Sequence, residues 1–213
     1  MQKMKTKLFI KKIVILLIGL IIAHLGVTLF IQTNLGSDPF NVFIQGLFRS
    51  IPWPAGLPIT HGRTHMLICF LIILVLLVVD KSYIRIGTII CMFFGGPIID
   101  FFTWLLGGFI NDRLALPLRL ILLVAGCIIL ALGMTIVIRS EAGTGPNDLV
   151  AIVAADKLHK PFGIIRVIVD ICFVVTGFLL GGVFGIGTII CAFLVGPVAQ
   201  FFLNRIHFSF SES

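Results

Sequence analysis

Six long apolar runs, separated by short polar segments, constrain the fold of this chain more than any other feature. Hydrophobic residues make up 59% of the sequence and charged residues 12%, whereas a soluble domain carries about 25% charged residues. A helix needs roughly 20 apolar residues to cross a bilayer. The pattern predicts an all-α membrane protein with about six transmembrane helices, of which the second and fifth are short. The predicted spans are 13–31, 66–79, 86–110, 120–138, 167–180 and 186–203.

The basic residues lie at the ends of these runs and predict the orientation of the chain. Of the 16 lysines and arginines, twelve fall on one predicted side of the membrane and four on the other. Because basic residues are retained on the cytoplasmic side, both termini are expected in the cytoplasm. The net charge of +7 forms no basic groove, so nucleic-acid binding is not expected.

The sequence repeats itself, which divides it into two halves, 1–110 and 111–213. The block from Ile86 to Pro97 returns as Ile186 to Pro197, with the Ile-Gly-Thr-Ile-Ile-Cys core identical. A weaker block, Leu25 to Pro39, precedes the first copy and matches Leu132 to Pro146. Each half contains three predicted spans, and three is an odd number. The second half is therefore expected to insert in the opposite orientation, as an inverted repeat.

Two motifs connect the chain with a known family. The first is Asn-Leu-Gly-Ser-Asp-Pro-Phe-Asn, residues 34–41, and the second is Gly-Pro-Ile-Ile-Asp, residues 96–100. Over nearly its whole length the sequence resembles the YczE/YyaS/YitT family of bacterial integral membrane proteins. Similar members often carry an aspartate after the Gly-x-x-Pro turn, which is Asp148 in the second half and is replaced by Asn41 in the first. The resemblance implies the fold and a location in the bacterial inner membrane.

The matching Gly-Pro turns of the two halves are the candidate solute-binding segments. Each is followed by a short amphipathic or mixed segment, and in the first half Asp38 and Pro39 are suited to the N-cap and first position of a helix. Free N–H groups at such helix starts attract anions, and paired interruptions in two repeats indicate a transport site. Connecting turns followed by interfacial helices remain an equal alternative. The candidate residues are Gly36, Asp38, Asn41, Gly143, Gly145, Asn147 and Asp148.

Charged residues within the apolar runs are further candidates, because a charge in the bilayer is costly unless it is paired or functional. Asp170 follows Arg166 by four residues, a spacing at which the two side chains share one helix face. They either serve function or form a neutralised pair whose arginine reaches the cytoplasmic surface. Asp100 has the neutral Gln200 as its counterpart, which favours an asymmetric role. His24 is expected to be satisfied by a neighbouring helix, with a proton relay as the alternative.

No catalytic, cofactor or nucleotide-binding motif is present, so we expect neither an enzyme nor a cofactor or metal site. The inverted repeats favour a small secondary transporter-like carrier of a small polar or anionic solute. A non-transporting accessory or scaffold protein of a membrane-bound assembly is the alternative. The expected partners are the lipid bilayer and that solute, and a second copy of the chain or another membrane protein is left open.

Overall fold

The computed structural model describes residues 2–54, 56, 58–110 and 114–208, and this part of the chain is entirely helical. Six of its helices are long and apolar enough to cross a membrane, which confirms the all-α membrane fold. Arg113, one of the charges assigned to the outer side, lies outside the described residues. The helices are α1 Gln2–Thr33, α2 Pro39–Ser50, α3 His61–Asp80, α4 Ile86–Leu106, α5 Leu116–Arg139, α6 Pro146–Leu158, α7 Phe162–Leu179 and α8 Ile186–Leu203.

The second span is longer than its apolar run predicts. Helix α3 has 20 residues, about 30 Å at 1.5 Å per residue, which is enough to cross the hydrocarbon core. Its first turns are polar, so hydropathy alone places the start too late. Thr60 caps this start by accepting a hydrogen bond from the backbone N–H of Arg63 at 3.1 Å. His61 and His65 are buried inside the protein and therefore do not face lipid.

Helices α2 and α6, with 12 and 13 residues, are too short to span a bilayer. Both begin at the proline of a Gly-Pro turn, where the missing N–H and fixed φ of proline suit the first helical position. In α2 the Asp38 side chain caps the helix by accepting from the backbone N–H of Asn41. The predicted Asp38 cap and Pro39 start of α2 are thus confirmed, and α6 begins at Pro146, one residue before the predicted start at Asn147.

Helices α1 and α5 form the centre of the bundle and approach each other very closely. A Cβ atom added at Gly26 would lie 2.6 Å from the backbone nitrogen of Leu130. A Cβ atom added at Gly133 would lie 2.2 Å from the backbone nitrogen of Ala23. Only glycine permits such contact between backbones, a packing mode common between membrane helices. The core around this contact includes Phe30 and Leu123.

The remaining helices are arranged in corresponding pairs around this centre. Helix α4 packs against α1 and α8 against α5, while α2 packs against α7 and α6 against α3. The start of α4 is bonded to the second half, from Gly87 N–H to the carbonyl of Ala142 at 3.0 Å. The start of α8 is bonded to the first half in the same manner, from Gly187 N–H to the carbonyl of Leu35 at 2.8 Å. Each half thereby holds a spanning helix of the other.

One pair of helices departs from this correspondence. Helix α3 packs along α4, but its counterpart α7 is not packed against α8 in the described part of the chain. Gly62 and Gly96 touch through their backbones, since a Cβ atom at Gly62 would lie 2.1 Å from the carbonyl oxygen of Gly96. Gly163, the second residue of α7, and Gly196 of α8 have no atom within 4 Å of an added Cβ. The gap between α7 and α8 opens into a cavity.

Candidate functional site

The cavity beside α7 and α8 has a volume of about 1050 Å³ and is lined by residues of both halves. Its wall is mostly apolar, with side chains from α1, α5 and α8. A mostly apolar cavity with a few polar groups is typical of a small-molecule site. The polar and ionisable residues that line it are His24, Asp38, Asn41, His65, Thr144, Asn147, Asp148, Asp156, Arg166, Asp170 and Thr188.

The first-half turn contributes Asp38 and Asn41. Three donors converge on the Asp38 carboxylate: the Asn41 backbone N–H (3.2 Å), the Asn41 side-chain amide (2.9 Å) and the Ser37 hydroxyl (3.2 Å). The amide oxygen of Asn41 also lies 3.1 Å from Nε2 of His61. Asn41 is thus fixed between two partners. Within the described residues, no basic side chain forms an ion pair with Asp38.

The second-half turn contributes Asn147 and Asp148, which are joined to α7 through Arg166. The guanidinium of Arg166 donates to Asp148 at 2.6 Å and to Asp170 at 3.0 Å. The predicted pair at the i, i+4 spacing is confirmed, but Arg166 also reaches a residue 18 positions earlier. The Asn147 amide donates to the same Asp148 oxygen at 3.1 Å. Arg166 therefore crosslinks α6 and α7 at the cavity wall.

Two histidine rings and a phenylalanine lie together at another part of the wall. The rings of His24 and His65 are 5.6 Å apart, and those of Phe40 and His65 are 5.4 Å apart, both edge to face. His24 was expected to be satisfied by a neighbouring helix. Instead, its Nδ1 lies 2.8 Å from the carbonyl oxygen of Leu20, on its own helix.

The turn glycines Gly36 and Gly143 do not line the cavity. Both have positive φ values, 110° and 143°, which other residues adopt only with strain. A Cβ at Gly36 would lie 2.6 Å from Oγ1 of Thr188, and one at Gly143 would lie 2.9 Å from the nitrogen of Thr88. These glycines pack the turns against α8 and α4. Their role in the structure is conformational, and Gly145 is the turn glycine that lies at the wall.

Thr188 is a cavity residue that the sequence interpretation did not identify. It is only 3% exposed, and its hydroxyl has no hydrogen-bond partner among the described atoms. Buried hydroxyl groups are normally bonded. The repeated Ile-Gly-Thr motif indicated close helix packing, and nothing in the sequence showed that one of its two threonines faces a cavity.

Asp100 lies away from the main cavity. Its carboxylate accepts hydrogen bonds from the Thr60 hydroxyl at 2.5 Å and from the Gly62 backbone N–H at 3.0 Å. These bonds hold the start of α3 against α4. Gln200, its counterpart, bonds only to Asn204 of the same terminal segment within the described residues. Asp100 thus accounts for part of the difference between the closed α3–α4 contact and the open α7–α8 gap.

The electrostatic balance of the cavity is negative. Four carboxylates line it, Asp38, Asp148, Asp156 and Asp170, against the single guanidinium of Arg166. No group of three or more potential ligands is arranged to hold a metal ion in the described residues.

Comparison with known proteins gives the family relationship. A family described as "Family of unknown function (DUF6198)" matches residues 10–204. A Haemophilus influenzae protein described as "Uncharacterized protein" is 30% identical over 92% of this chain and 85% of its own length. Two Bacillus subtilis proteins are more distant: YyaS is 25% identical over 87% of this chain and 89% of its own length. The other, "Uncharacterized membrane protein YczE", is 26% identical over 88% and 83%.

These matches confirm the resemblance to YczE and YyaS that the two motifs indicated, and they agree with a membrane protein. No solved structure matches the chain. The geometry of the cavity therefore has to be interpreted from its own residues.

Proposed function

The chain belongs to the DUF6198 family, and we propose that it is a small secondary carrier that moves a polar solute across the bacterial cell membrane. The observation that carries this proposal is the shared cavity. Asp38 and Asn41 from the first Gly-Pro turn and Gly145 and Asp148 from the second line one space of about 1050 Å³. Carriers built from repeats bind their solutes where discontinuous helices of the two repeats meet.

An inverted repeat of residues 1–110 and 111–213 is part of the proposal. It is supported by the exchanged contacts, in which α2 packs on α7 and α6 on α3. It is also supported by the reciprocal bonds of Gly87 to Ala142 and of Gly187 to Leu35. A two-fold relation between the halves explains why each of these contacts occurs twice.

The unequal closure of the two helix pairs supports transport rather than a static binding site. The α3–α4 pair is closed at Gly62 and Gly96, while the α7–α8 pair is open at Gly163 and Gly196. In alternating access, one repeat takes the conformation of the other while the solute stays bound. We propose that the second state closes Gly163 on Gly196 and separates Gly62 from Gly96.

The orientation follows from the distribution of basic residues. With both termini in the cytoplasm, the start of α7 and the end of α8 lie on the cytoplasmic side. The open gap then faces the cytoplasm, and the closed α3–α4 contact seals the outside. The conformation described here is accordingly the inward-open state of the carrier.

Uptake into proteoliposomes tests the carrier proposal. Vesicles containing the purified chain are incubated with an isotope-labelled bacterial extract, and accumulated solutes are identified by mass spectrometry. We expect at least one polar solute to accumulate. The variant Gly196→Trp should abolish its uptake by filling the cavity, and Gly108→Trp is the matched control.

The control is suitable because Gly108 also has open space around an added Cβ and does not line the cavity. If no solute accumulates and the chain co-purifies with a stoichiometric membrane partner, the accessory function replaces the carrier.

A further inference from the structure

We propose that the cavity selects an organic cation and that the Asp38 carboxylate is its counter-charge. This inference rests on the proposed carrier function and adds the chemical class of its solute. It goes against the anionic solute that the two helix N-termini suggest when the sequence is considered alone.

Carboxylates of the chain itself lie at the starts of α2 and α6. Asp38 accepts the Asn41 N–H as the N-cap of α2, and Asp148 lies in the first turn of α6. Each helix dipole is therefore compensated by an intrinsic negative charge. An anion at either helix start would therefore lie close to a carboxylate of the chain.

Asp38 is the half-buried carboxylate of the cavity for which the described residues show no ion pair; Asp156, whose partner is the neutral Tyr83 hydroxyl, is exposed to solvent. Arg166 pairs with both Asp148 and Asp170, and Tyr83 donates to Asp156 at 2.6 Å. The donors to Asp38 are neutral groups: an amide, a backbone N–H and a hydroxyl. A carboxylate in an apolar surrounding is costly unless an opposite charge compensates it. A bound cation supplies that charge.

Thr188 is a second polar residue near the Asp38 turn; its counterpart Thr88 also has a buried hydroxyl that is unpaired in the described part of the chain, but only Thr188 lines the cavity. Its buried hydroxyl has no partner among the described atoms and lies at the cavity wall. The same hydroxyl is packed against Gly36, two residues before Asp38. A solute whose cation pairs with Asp38 can donate an N–H to the Thr188 oxygen once this packing against Gly36 loosens.

The rest of the wall favours an organic cation over a metal ion. Most of the lining is apolar, and Phe40 adjoins the Asp38 turn. Aromatic faces attract ammonium and guanidinium groups, and apolar walls bind hydrocarbon parts of a ligand. A volume of about 1050 Å³ exceeds what an ion alone needs. The expected solute carries an ammonium, amidinium or guanidinium group on an apolar body.

Equilibrium dialysis with four small probes tests this assignment on the purified full-length chain. Two probes are cations, benzyltrimethylammonium and benzamidine; benzyl alcohol is neutral and benzenesulfonate is an anion. We expect only the two cations to bind. Asp38→Asn should weaken their binding at least tenfold, and Thr188→Val should weaken benzamidine more than benzyltrimethylammonium, which has no N–H group.

Asparagine is itself a good N-cap residue, so Asp38→Asn should preserve α2. The matched control is Asp80→Asn, which removes a carboxylate that pairs with Lys157 away from the cavity and should leave cation binding unchanged. Failure of both cations to bind, or equal binding to wild type and Asp38→Asn, overturns the assignment. Binding of benzenesulfonate or benzyl alcohol that Gly196→Trp abolishes overturns the cation class and leaves the carrier intact. If the cations bind but no solute is taken up into proteoliposomes, the carrier function is refuted and the cation site is retained.

Discussion

The contact between Gly62 and Gly96 gives a prediction whose size follows from the geometry. In Gly62→Ala, the new Cβ would lie 2.1 Å from the Gly96 carbonyl oxygen and 2.6 Å from Cγ of Asp100. Both distances are shorter than any real Cβ contact, so α3 and α4 must separate. Gly163→Ala is the matched variant, because nothing lies within 4 Å of its added Cβ.

The cost of Gly62→Ala has two parts. Overpacking a close contact costs about 1–3 kcal/mol. Separating the helices also weakens the bonds from Gly62 N–H and the Thr60 hydroxyl to Asp100, and each bond to a charged group contributes about 1.5–3 kcal/mol. Partial loss of these two hydrogen bonds, added to the overpacking cost, lowers the free energy of unfolding by roughly 3 kcal/mol. At roughly 2–4 °C per kcal/mol for a chain of this size, the melting temperature should fall by roughly 6–12 °C.

Thermal unfolding of both variants in the same detergent, followed by intrinsic fluorescence, measures the difference. Gly163→Ala should stay within about 2 °C of wild type, because exposed substitutions change stability by about 0.5 kcal/mol or less. In the proposed outward-open state, however, Gly163 meets Gly196, so Gly163→Ala should slow solute uptake while leaving stability intact. Equal melting temperatures for the two variants would refute the close contact between Gly62 and Gly96. Unchanged uptake by Gly163→Ala would refute the proposed closure of Gly163 on Gly196 in the outward-open state.

Three further predictions concern other parts of the chain. Gly36→Ala should lower the melting temperature more than Gly181→Ala in the same assay, because both have positive φ but only Gly36 has a neighbour at 2.6 Å. Arg166→Gln should lower the melting temperature in the same assay, since it leaves two half-buried carboxylates, Asp148 and Asp170, without their cation. In a cysteine-free background, a membrane-impermeant thiol reagent added to intact cells should label Arg113→Cys and not Lys157→Cys. If the reagent labels both variants, or neither, the two positions lie on the same side of the membrane and the proposed topology is wrong.

The sequence was sufficient for the spans and for local features of the turns. Apolar runs predict the spans because lipid contact demands them, and the Asp38-Pro39 pair predicts the start of α2 because capping is a local interaction. The start of α3 was missed, since its buried polar residues are satisfied inside the protein, His61 by Asn41 of α2 and Thr64 by the Thr60 carbonyl, rather than by water.

Contacts between distant segments could not be predicted in the same way. The Arg166–Asp170 pair follows from helical spacing, but the shorter contact of Arg166 with Asp148 depends on how α6 lies against α7. Likewise, the two Ile-Gly-Thr motifs are identical in sequence, yet Thr188 lines the cavity and Thr88 does not. That difference arises from the unequal closure of two helix pairs, of which the sequence shows only one sign, the replacement of Asp100 by Gln200 in the second half.

The reciprocal bonds at the starts of α4 and α8 also determine the order in which the protein can mature. When the ribosome has completed the first half, the hydrogen bond from Gly87 N–H to the Ala142 carbonyl cannot form, because Ala142 has not yet been synthesised. Helix α1 likewise lacks its main packing partner, α5, at this stage. The early helices can pack on one another, as α4 does on α1 and α3, but their surfaces for α5, α6 and α7 must remain in contact with lipid or with an insertase until the second half follows. A fragment ending at residue 110 should accordingly be a substrate for membrane quality-control proteases unless the other half is supplied as a separate chain.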